Sequence, residues 1–479
     1  MRLISLPGFI SIVALVILTN SALAGNSVKL SGRITNAKSD TLQVSYNDNY
    51  LAYYPKDFYA TVDTKGNFSL EFPIPPSSYL PVEIRYNNHV ADLILHQGDS
   101  LALTVNEARF DSSIHYVGKG SAIQNFVARH TIEKGRMNQY ANRIRAAMSK
   151  DTADFIKTIA DEKKSEIDFL KKYKQDLPFS FINYWTAYYQ YYNYFFMEQY
   201  PQMHEIVRLK RYTDTIPVEN FSVIKKLPYA FNDSMMQLPP YLLYLGGIFE
   251  IKMKAAGYNY MGTDTSKKRM FADSITHLAY KMLPDKSAEY FIAQGLYSTA
   301  KYQPIERTRF QYDAFKKHWP GSGYLTLLDM QVSMAEKLAP GQPAPDFDII
   351  TPEGKQMKLS DLKGKVVYLG FWATWCRQCV GEMISERKPK DVLKNKPVEF
   401  VYVSIDNDTA SSMKIARKYK IDGIFHFAEG GWKAKEIQLY GVQGMPAYFL
   451  IDKEGKIAVQ NPPTPIQSTE LIVAISKLL

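Results

Sequence analysis

The stretch VVYLGFWATWCRQC, residues 366–379, decides how the C-terminal part of this chain folds. It opens with an apolar run that is typical of a buried strand. It closes on Cys376 and Cys379, which are separated by two residues and are the only cysteines in 479 residues. A strand that feeds a helix beginning at Cys-x-x-Cys is typical of a thiol–disulfide exchange site.

The position of Cys376 favours its reactive form. A cysteine at a helix N-terminus faces the positive end of the helix dipole, which stabilises the thiolate that attacks disulfides. A structural role is unfavourable because a disulfide across two residues closes too small a loop to hold a fold together. A zinc site is unfavourable because the eight scattered histidines supply no matching ligand pair. We therefore expect redox chemistry without a metal or a cofactor.

The N-terminus has the features of an export signal. Arg2 supplies a charge, residues 9–18 are almost wholly apolar, and Ala22–Ala24 fits the small-residue cleavage pattern. This apolar run is shorter than the about 20 residues of a membrane span. A buried helix is the alternative. We predict a cleaved signal peptide over residues 1–24 and, since no cysteine lies near the cleavage site, no lipoprotein anchor.

The formal net charge of +10 is spread along the chain. Lysines alternate with acidic residues, as in residues 161–166, which is typical of a solvated helix face. The sequence contains no basic stripe with interleaved aromatic residues, so it does not indicate a nucleic-acid partner. The length of the chain predicts two to four domains.

Residues 25–119 are predicted to form a β-sandwich domain. Short runs of β-branched and aromatic residues recur along it, separated by turn sequences such as Asp63–Asn67 and Gln97–Ser100. The expected strands cover residues 28–34, 41–46, 59–62, 67–72, 82–86, 91–95 and 101–105. A sandwich of roughly eight strands accommodates this pattern.

Residues 120–338 are predicted to form an α-helical domain. Apolar residues in Ala153–Tyr173 recur at three-four spacing, as on one face of a helix. Prolines are expected to divide the region into helices of ordinary length, at positions 178, 201, 217, 228, 239, 240, 284, 304 and 320. The segment Phe181–Tyr200 carries two aromatic stripes. We favour two buried faces of a central helix, with a groove for a peptide or glycan as the alternative.

Residues 339–479 are predicted to form an α/β domain behind a proline-rich linker, Ala339–Pro345. Strands are expected at residues 366–371, 398–405, 424–427, 447–451 and 457–459, and helices after Cys376 and near residues 409–419, 433–440 and 468–478. This alternation predicts a mixed sheet with helices on both faces. The whole chain is therefore expected to be a multidomain protein.

The C-terminal domain resembles the thioredoxin-fold, exported thiol–disulfide oxidoreductases of the TlpA/ResA type. The resemblance is carried by the segments Gly341–Phe347, Leu362–Lys365, Phe371–Cys376, Gly444–Pro446 and Tyr448–Asp452. The N-terminal region is similar to a small β-domain that precedes thioredoxin-like domains in exported Bacteroidetes proteins, through Ser31–Ile34, Val62–Phe68 and Gln97–Leu101.

The resemblance implies a role for each site residue. Cys376 is expected to be the exposed attacking thiol, and Cys379 to resolve the mixed disulfide. Pro446 matches the family's cis-proline, which presents backbone to the substrate. Glu382, three residues beyond Cys379 and on the same helix face, matches a glutamate that tunes the thiols. A surface glutamate is the alternative for Glu382.

Three further residues surround the expected site. Arg377 places a cation beside Cys376 and is expected to lower its pKa. Trp375 is expected to form an apolar lip for the substrate, whereas Trp372 is assigned to the core. Met445 precedes the cis-proline and is expected to contact substrates.

The leading hypothesis is an exported, periplasmic reductase of protein disulfides that is recharged by a membrane electron donor. The resemblance also allows a role in cytochrome c maturation. Two alternatives stay open: a thiol oxidase or isomerase, because Gln378 replaces the common proline between the cysteines, and a redox-sensing scaffold that uses the large N-terminal part. The sequence does not determine the oligomeric state.

Overall fold

The computed structural model describes residues 27–479 except 49, 52–54, 77–78, 210–221, 229, 256–264, 301–303 and 407. The predicted signal peptide, residues 1–24, lies outside the described residues. The chain divides into two compact units, Met1–Phe291 and Ile292–Leu479. In the described part of the chain, no helix combines the length and the apolarity needed to cross a membrane.

The described part of residues 27–119 contains eight strands, which confirms the strand-rich prediction. They are β1 Ser27–Thr35, β2 Thr41–Tyr46, β3 Lys56–Thr61, β4 Asn67–Pro73, β5 Leu80–Tyr86, β6 His89–Leu95, β7 Ser100–Asn106 and β8 His115–Lys119. They form two four-stranded sheets, in the orders β4-β1-β7-β8 and β3-β2-β5-β6. Buried residues of both sheets share one apolar core, as expected for a sandwich.

Helices follow the sandwich. They are α1 Phe110–Ser113, α2 Ser121–Lys134, α3 Met137–Ala147, α4 Thr152–Tyr173, α5 Phe179–Leu209, α6 Pro239–Ala255, α7 Thr265–Met282, α8 Asp285–Thr299, α9 Ile305–His318 and α10 Leu325–Lys337. The division between the two compact units falls within α8. The limits of the three domains therefore stay a prediction, and α9 and α10 lie in the C-terminal unit.

One expected helix boundary is wrong. Pro201 lies inside α5, a helix of 31 residues, instead of ending it. An interior proline costs about 3 kcal/mol because it removes one backbone hydrogen bond and its ring crowds the preceding turn. Buried aromatic side chains on the turns before it, among them Phe196 and Tyr200, offset that cost by packing.

The aromatic segment of α5 lies mainly in the core of its unit. Its fully buried side chains are Phe181, Trp185, Tyr189, Phe196 and Tyr200. Two others, Tyr188 and Tyr192, are half-buried and stack with ring centroids 5.5 Å apart. The favoured interpretation, a central helix with buried faces, therefore describes most of this segment.

The C-terminal unit contains a five-stranded sheet in the order β13-β12-β11-β14-β15. Its strands are β11 Val366–Trp372, β12 Val398–Ser404, β13 Ile424–Phe427, β14 Ala447–Ile451 and β15 Ile457–Gln460. Strands β9 Asp348–Ile350 and β10 Gln356–Lys358 form a separate two-stranded sheet. Strand β11 is parallel to β12 and antiparallel to β14. The mixed sheet predicted from the sequence is thus confirmed.

Apolar clusters cover both faces of this sheet, because alternate residues of β11 point to opposite sides. The surrounding helices are α11 Arg377–Ser385, α12 Arg387–Val392, α13 Thr409–Tyr419, α14 Lys435–Leu439 and α15 Ser468–Ser476. The predicted linker before the sheet does not continue α10. Instead it is bound to the domain: Gly341 N–H donates to the carbonyl of Ile457, and Ala344 N–H donates to that of Gly455.

Candidate active site

The two cysteines lie where β11 turns into α11. Cys376 is the N-cap of α11, and the two sulfurs form a disulfide. The backbone N–H of Cys379 donates to the sulfur of Cys376 at 3.1 Å. Cys379 is fully buried, and Cys376 is only 9% exposed in this oxidised form. Cys376 is therefore the more accessible sulfur, although it is less exposed than the sequence led us to expect because it packs into the apolar cluster on this face.

A buried aspartate that the sequence analysis missed holds the turn before the cysteines. Asp406 follows β12 and accepts hydrogen bonds from the backbone N–H of Thr374 at 3.0 Å and from its hydroxyl at 2.8 Å. The hydroxyls of Ser404 and Ser412 donate to the same carboxylate at 2.8 and 2.7 Å. Asp406 thus ties the residue two positions before Cys376 to the neighbouring strand.

The peptide bond between Met445 and Pro446 is cis, as the resemblance implied. It directly precedes β14, in which Ala447 pairs with Phe371 of β11. This register places the cis bond at the same end of the sheet as the C-terminal end of β11, which leads to Cys376. Met445 packs against the apolar clusters on both faces of the sheet.

Glu382 lies inside the domain and not on its surface. Its side chain is almost fully buried on the same face of α11 as Cys379 and Met383. Its Oε2 accepts a hydrogen bond from the backbone N–H of Ile466 at 3.0 Å. The burial agrees with the expected helix face and removes the alternative of a surface glutamate.

A second buried glutamate, Glu386, lies one turn further along this face. The hydroxyl of Tyr402 donates to its Oε2, and the Nζ of Lys390 lies 3.2 Å from the same oxygen. Burial raises the pKa of Glu386 to about 7, and the cation of Lys390 opposes that rise. The spacing of 379, 382, 383 and 386 on one helix face could have identified it from the sequence.

Two exposed tryptophans lie beside the cysteines. Trp375 is 60% exposed and Trp432 is 43% exposed, and their ring centroids are 6.4 Å apart. Trp432 follows a turn in which Gly430 and Gly431 both have positive φ, so its position depends on conformations that favour glycine. Trp372 is buried, as expected, and Arg377 is exposed. The sequence analysis identified Trp375 but missed Trp432.

The family model named Redoxin matches residues 339–471. A thiol–disulfide oxidoreductase ResA from Bacillus cereus is 37% identical over 139 residues, which cover 29% of this chain and 78% of that protein. ResA from Bacillus subtilis is 31% identical over 135 residues, covering 28% of this chain and 73% of its own length.

Solved structures match the same share of the chain. A putative thiol:disulfide interchange protein DsbE from Chlorobium tepidum is 33% identical, covering 29% of this chain and 99% of its own, with a TM-score of 0.26. A putative thiol–disulfide oxidoreductase from Bacteroides vulgatus is 31% identical, covering 30% of this chain and 99% of its own, with a TM-score of 0.27.

Proposed function

This chain belongs to the thiol–disulfide oxidoreductases related to ResA, and we propose that it reduces disulfides of exported proteins through Cys376 and Cys379. The observation that carries the proposal is the placement of both sulfurs at the N-terminus of α11, with Cys376 the more accessible. A thiolate at this position is stabilised by the helix dipole and by the N–H of Cys379.

The proposed reaction has two exchange steps. In the reduced protein, the Cys376 thiolate attacks one sulfur of the substrate disulfide, and the other substrate sulfur leaves as a thiolate that takes up a proton. Cys379 then loses its proton and attacks the Cys376 sulfur of the mixed disulfide. The second substrate thiolate leaves and is protonated. The substrate gains two electrons and two protons, and the protein becomes the disulfide form.

The surrounding residues have separate proposed roles. Glu382 lies one turn beyond Cys379 and would accept its proton during the second step. Arg377 would hold a cation near the attacking thiolate. Trp375, Met445 and Pro446 would contact the substrate chain on either side of the reacting sulfur.

The cellular setting is also a proposal. Residues 1–24 would direct export to the periplasm and be removed, leaving a sandwich domain at 25–119, a helical domain at 120–338 and the catalytic domain at 339–479. Protein thiols and disulfides of that compartment would be the substrates. A membrane electron donor would return Cys376 and Cys379 to the dithiol form, and cytochrome c maturation is one process that such a reductase serves.

Reduction of insulin by dithiothreitol tests the exchange activity. We expect the wild-type chain to accelerate it, Cys376→Ala to abolish the acceleration, and Ser385→Ala in the same helix to retain it. A wild-type chain that exchanges with no protein disulfide would rule the proposal out. The direction is tested by the reduction potential of the pair: a value below about −200 mV supports a reductase, whereas a higher value favours an oxidase or isomerase.

A further inference from the structure

Glu386 is the fully buried C-cap residue of α11 and lies about two turns beyond the resolving cysteine. It follows Cys379 by seven residues, which corresponds to about 10 Å along the helix axis. Cys379, Glu382 and Met383 are buried on the same face. A charge on Glu386 would therefore act on the Cys379 sulfur through protein and not through water, where it would be screened.

Within the described residues, only one of the two carboxylate oxygens of Glu386 has polar partners. Its Oε2 contacts the Tyr402 hydroxyl and the Lys390 ammonium group, whereas Oε1 has no hydrogen-bond donor within the described part of the chain. Lys390 Nζ also donates to the Tyr402 hydroxyl at 2.6 Å and to the backbone carbonyl of Asp422. The Lys390 side chain is 21% exposed, so the ion pair extends from the buried Glu386 to the protein surface.

Titratable groups from every neighbouring element act on this pair. They are Glu382 on α11, Lys390 on α12, Tyr402 on β12, Tyr368 on β11, Tyr448 on β14 and Asp422 before β13. Burial raises the pKa of Tyr368, Tyr402 and Tyr448, so these three side chains stay neutral. Burial also lowers the pKa of Lys390, and the charges of Glu386 and Asp422 oppose that change. Glu382, Glu386 and Lys390 are therefore the groups whose charge decides the local potential.

We propose that Glu386 is a positioning residue for the exchange reaction, whose charge, offset by Lys390, sets how tightly Cys379 holds its proton. This inference rests on the proposed function and adds a second carboxylate to Glu382. A negative charge at Glu386 disfavours the Cys379 thiolate and slows the resolving step. Protonation of Glu386 removes that penalty. Glu386 exchanges one proton with water and transfers no electrons.

Removing the charge of Glu386 and removing that of Lys390 should shift the pKa of Cys379 in opposite directions. Glu386→Gln leaves the Lys390 cation without its partner, so the Cys379 thiolate becomes more favourable. Lys390→Met removes the cation and leaves the carboxylate, so the thiolate cannot become more favourable. A charge about 10 Å away at an effective dielectric constant of about 20 shifts a pKa by about one unit.

The full-length chain allows a direct measurement. In Cys376→Ser, Cys379 is the only thiol of the chain, and its titration is followed by the ultraviolet absorbance of the thiolate. In that background we expect Glu386→Gln to lower the midpoint by about one pH unit and Lys390→Met to raise it. The matched control is Glu454→Gln, which makes the same chemical change at an exposed turn between β14 and β15 and should not move the midpoint.

The outcomes separate this inference from the proposed function. If Glu386→Gln titrates like the Glu454→Gln control while wild-type insulin reduction persists, Glu386 has no such role and the proposed function stands. If Glu386→Gln does not fold, Lys390→Met decides: a lowered midpoint overturns the inference, and a raised one supports it. An unchanged midpoint in Lys390→Met is sufficient to overturn it when Glu386→Gln gives no folded protein.

Discussion

The ring of Tyr448 lies against Gly370 across the central strand pair. The two residues are direct partners in β11 and β14, and a Cβ on Gly370 would lie 3.0 Å from Cε1 and 3.1 Å from Cδ1 of Tyr448. The tyrosine ring takes up the space that a side chain at position 370 would need.

Gly370→Ala should destabilise the C-terminal domain by about 1–3 kcal/mol, because the added methyl group overpacks the Tyr448 ring. Thermal unfolding of the full chain measures this. The matched control is Gly381→Ala in α11, where an added Cβ would meet nothing within 4 Å. That change should stabilise by about 0.5–1 kcal/mol, since alanine is the better helix former. Equal effects at the two positions would contradict the packing argument.

Glu382→Gln should shift the titration of the thiols in the reduced chain. The carboxylate is buried one turn from Cys379 and receives one backbone hydrogen bond, from Ile466. Its negative charge disfavours a nearby thiolate, so we expect the glutamine variant to titrate at lower pH. Rapid alkylation at a series of pH values measures the shift. A titration curve that coincides with that of the wild type removes Glu382 from the mechanism.

Asp406→Ala should slow exchange as well as destabilise the domain. The change leaves the buried donors of Thr374, Ser404 and Ser412 without their acceptor, at a cost of about 2–3 kcal/mol. Because Thr374 belongs to the turn before Cys376, the geometry of the cysteines should loosen. Insulin reduction measures the loss.

The control for this variant is Asp408→Ala. Asp408 caps α13 by accepting a hydrogen bond from Ser411 N–H at 2.7 Å, and within the described residues it makes no hydrogen bond to Thr374. Its removal should leave insulin reduction unchanged. If Asp406→Ala reduces insulin at the wild-type rate below its unfolding temperature, Asp406 serves stability alone.

Trp432→Ala should weaken the reaction with protein disulfides selectively. Trp432 and Trp375 form one exposed aromatic surface beside Cys376, which suits contact with a polypeptide and not with a small disulfide. We expect kcat/KM for a protein disulfide to fall about three- to tenfold while that for glutathione disulfide stays constant. Val392→Ala, at an exposed apolar position of α12, is the matched control. A parallel loss with both substrates would contradict a docking role.

The stability of the C-terminal domain should fall between acidic and neutral pH because of Glu386. Burial raises its pKa from 4.5 to about 7 in the folded domain. The folded state therefore binds more protons than the unfolded state between these values. Glu386 thereby stabilises the folded domain by about 3 kcal/mol at acidic pH. This stabilisation is fully present below pH 4.5 and is lost as the pH rises through about 7.

The test of this dependence is a comparison of unfolding free energies against pH. The difference between the wild type and Glu386→Gln should change by that amount across the interval, because all other titrating groups are shared. A constant difference from acidic to neutral pH would show that Glu386 does not titrate there.

Only those features of the site that follow from local sequence patterns could be predicted. The apolar run before Cys376 and the helix face shared by Cys379 and Glu382 follow from periodicity along one or two elements. Asp406 and Trp432 could not be found in this way, because their partners Thr374 and Trp375 are 32 and 57 positions away along the chain.

The sequence by itself determined the chemistry and the order of the elements. Strand and helix periods, the cysteine spacing and the turn residues are local properties, so the sandwich strands, the mixed sheet and the reactive pair were all predictable. Tertiary structure decided what lies opposite each buried face. Packing keeps Pro201 inside a helix, sheet register sets Tyr448 against Gly370, and the meeting of α11, α12 and β12 encloses Glu386 with Lys390 and Tyr402. Periodicity shows which face of an element is buried, whereas only the folded chain supplies the neighbours that fix the charge and the space there.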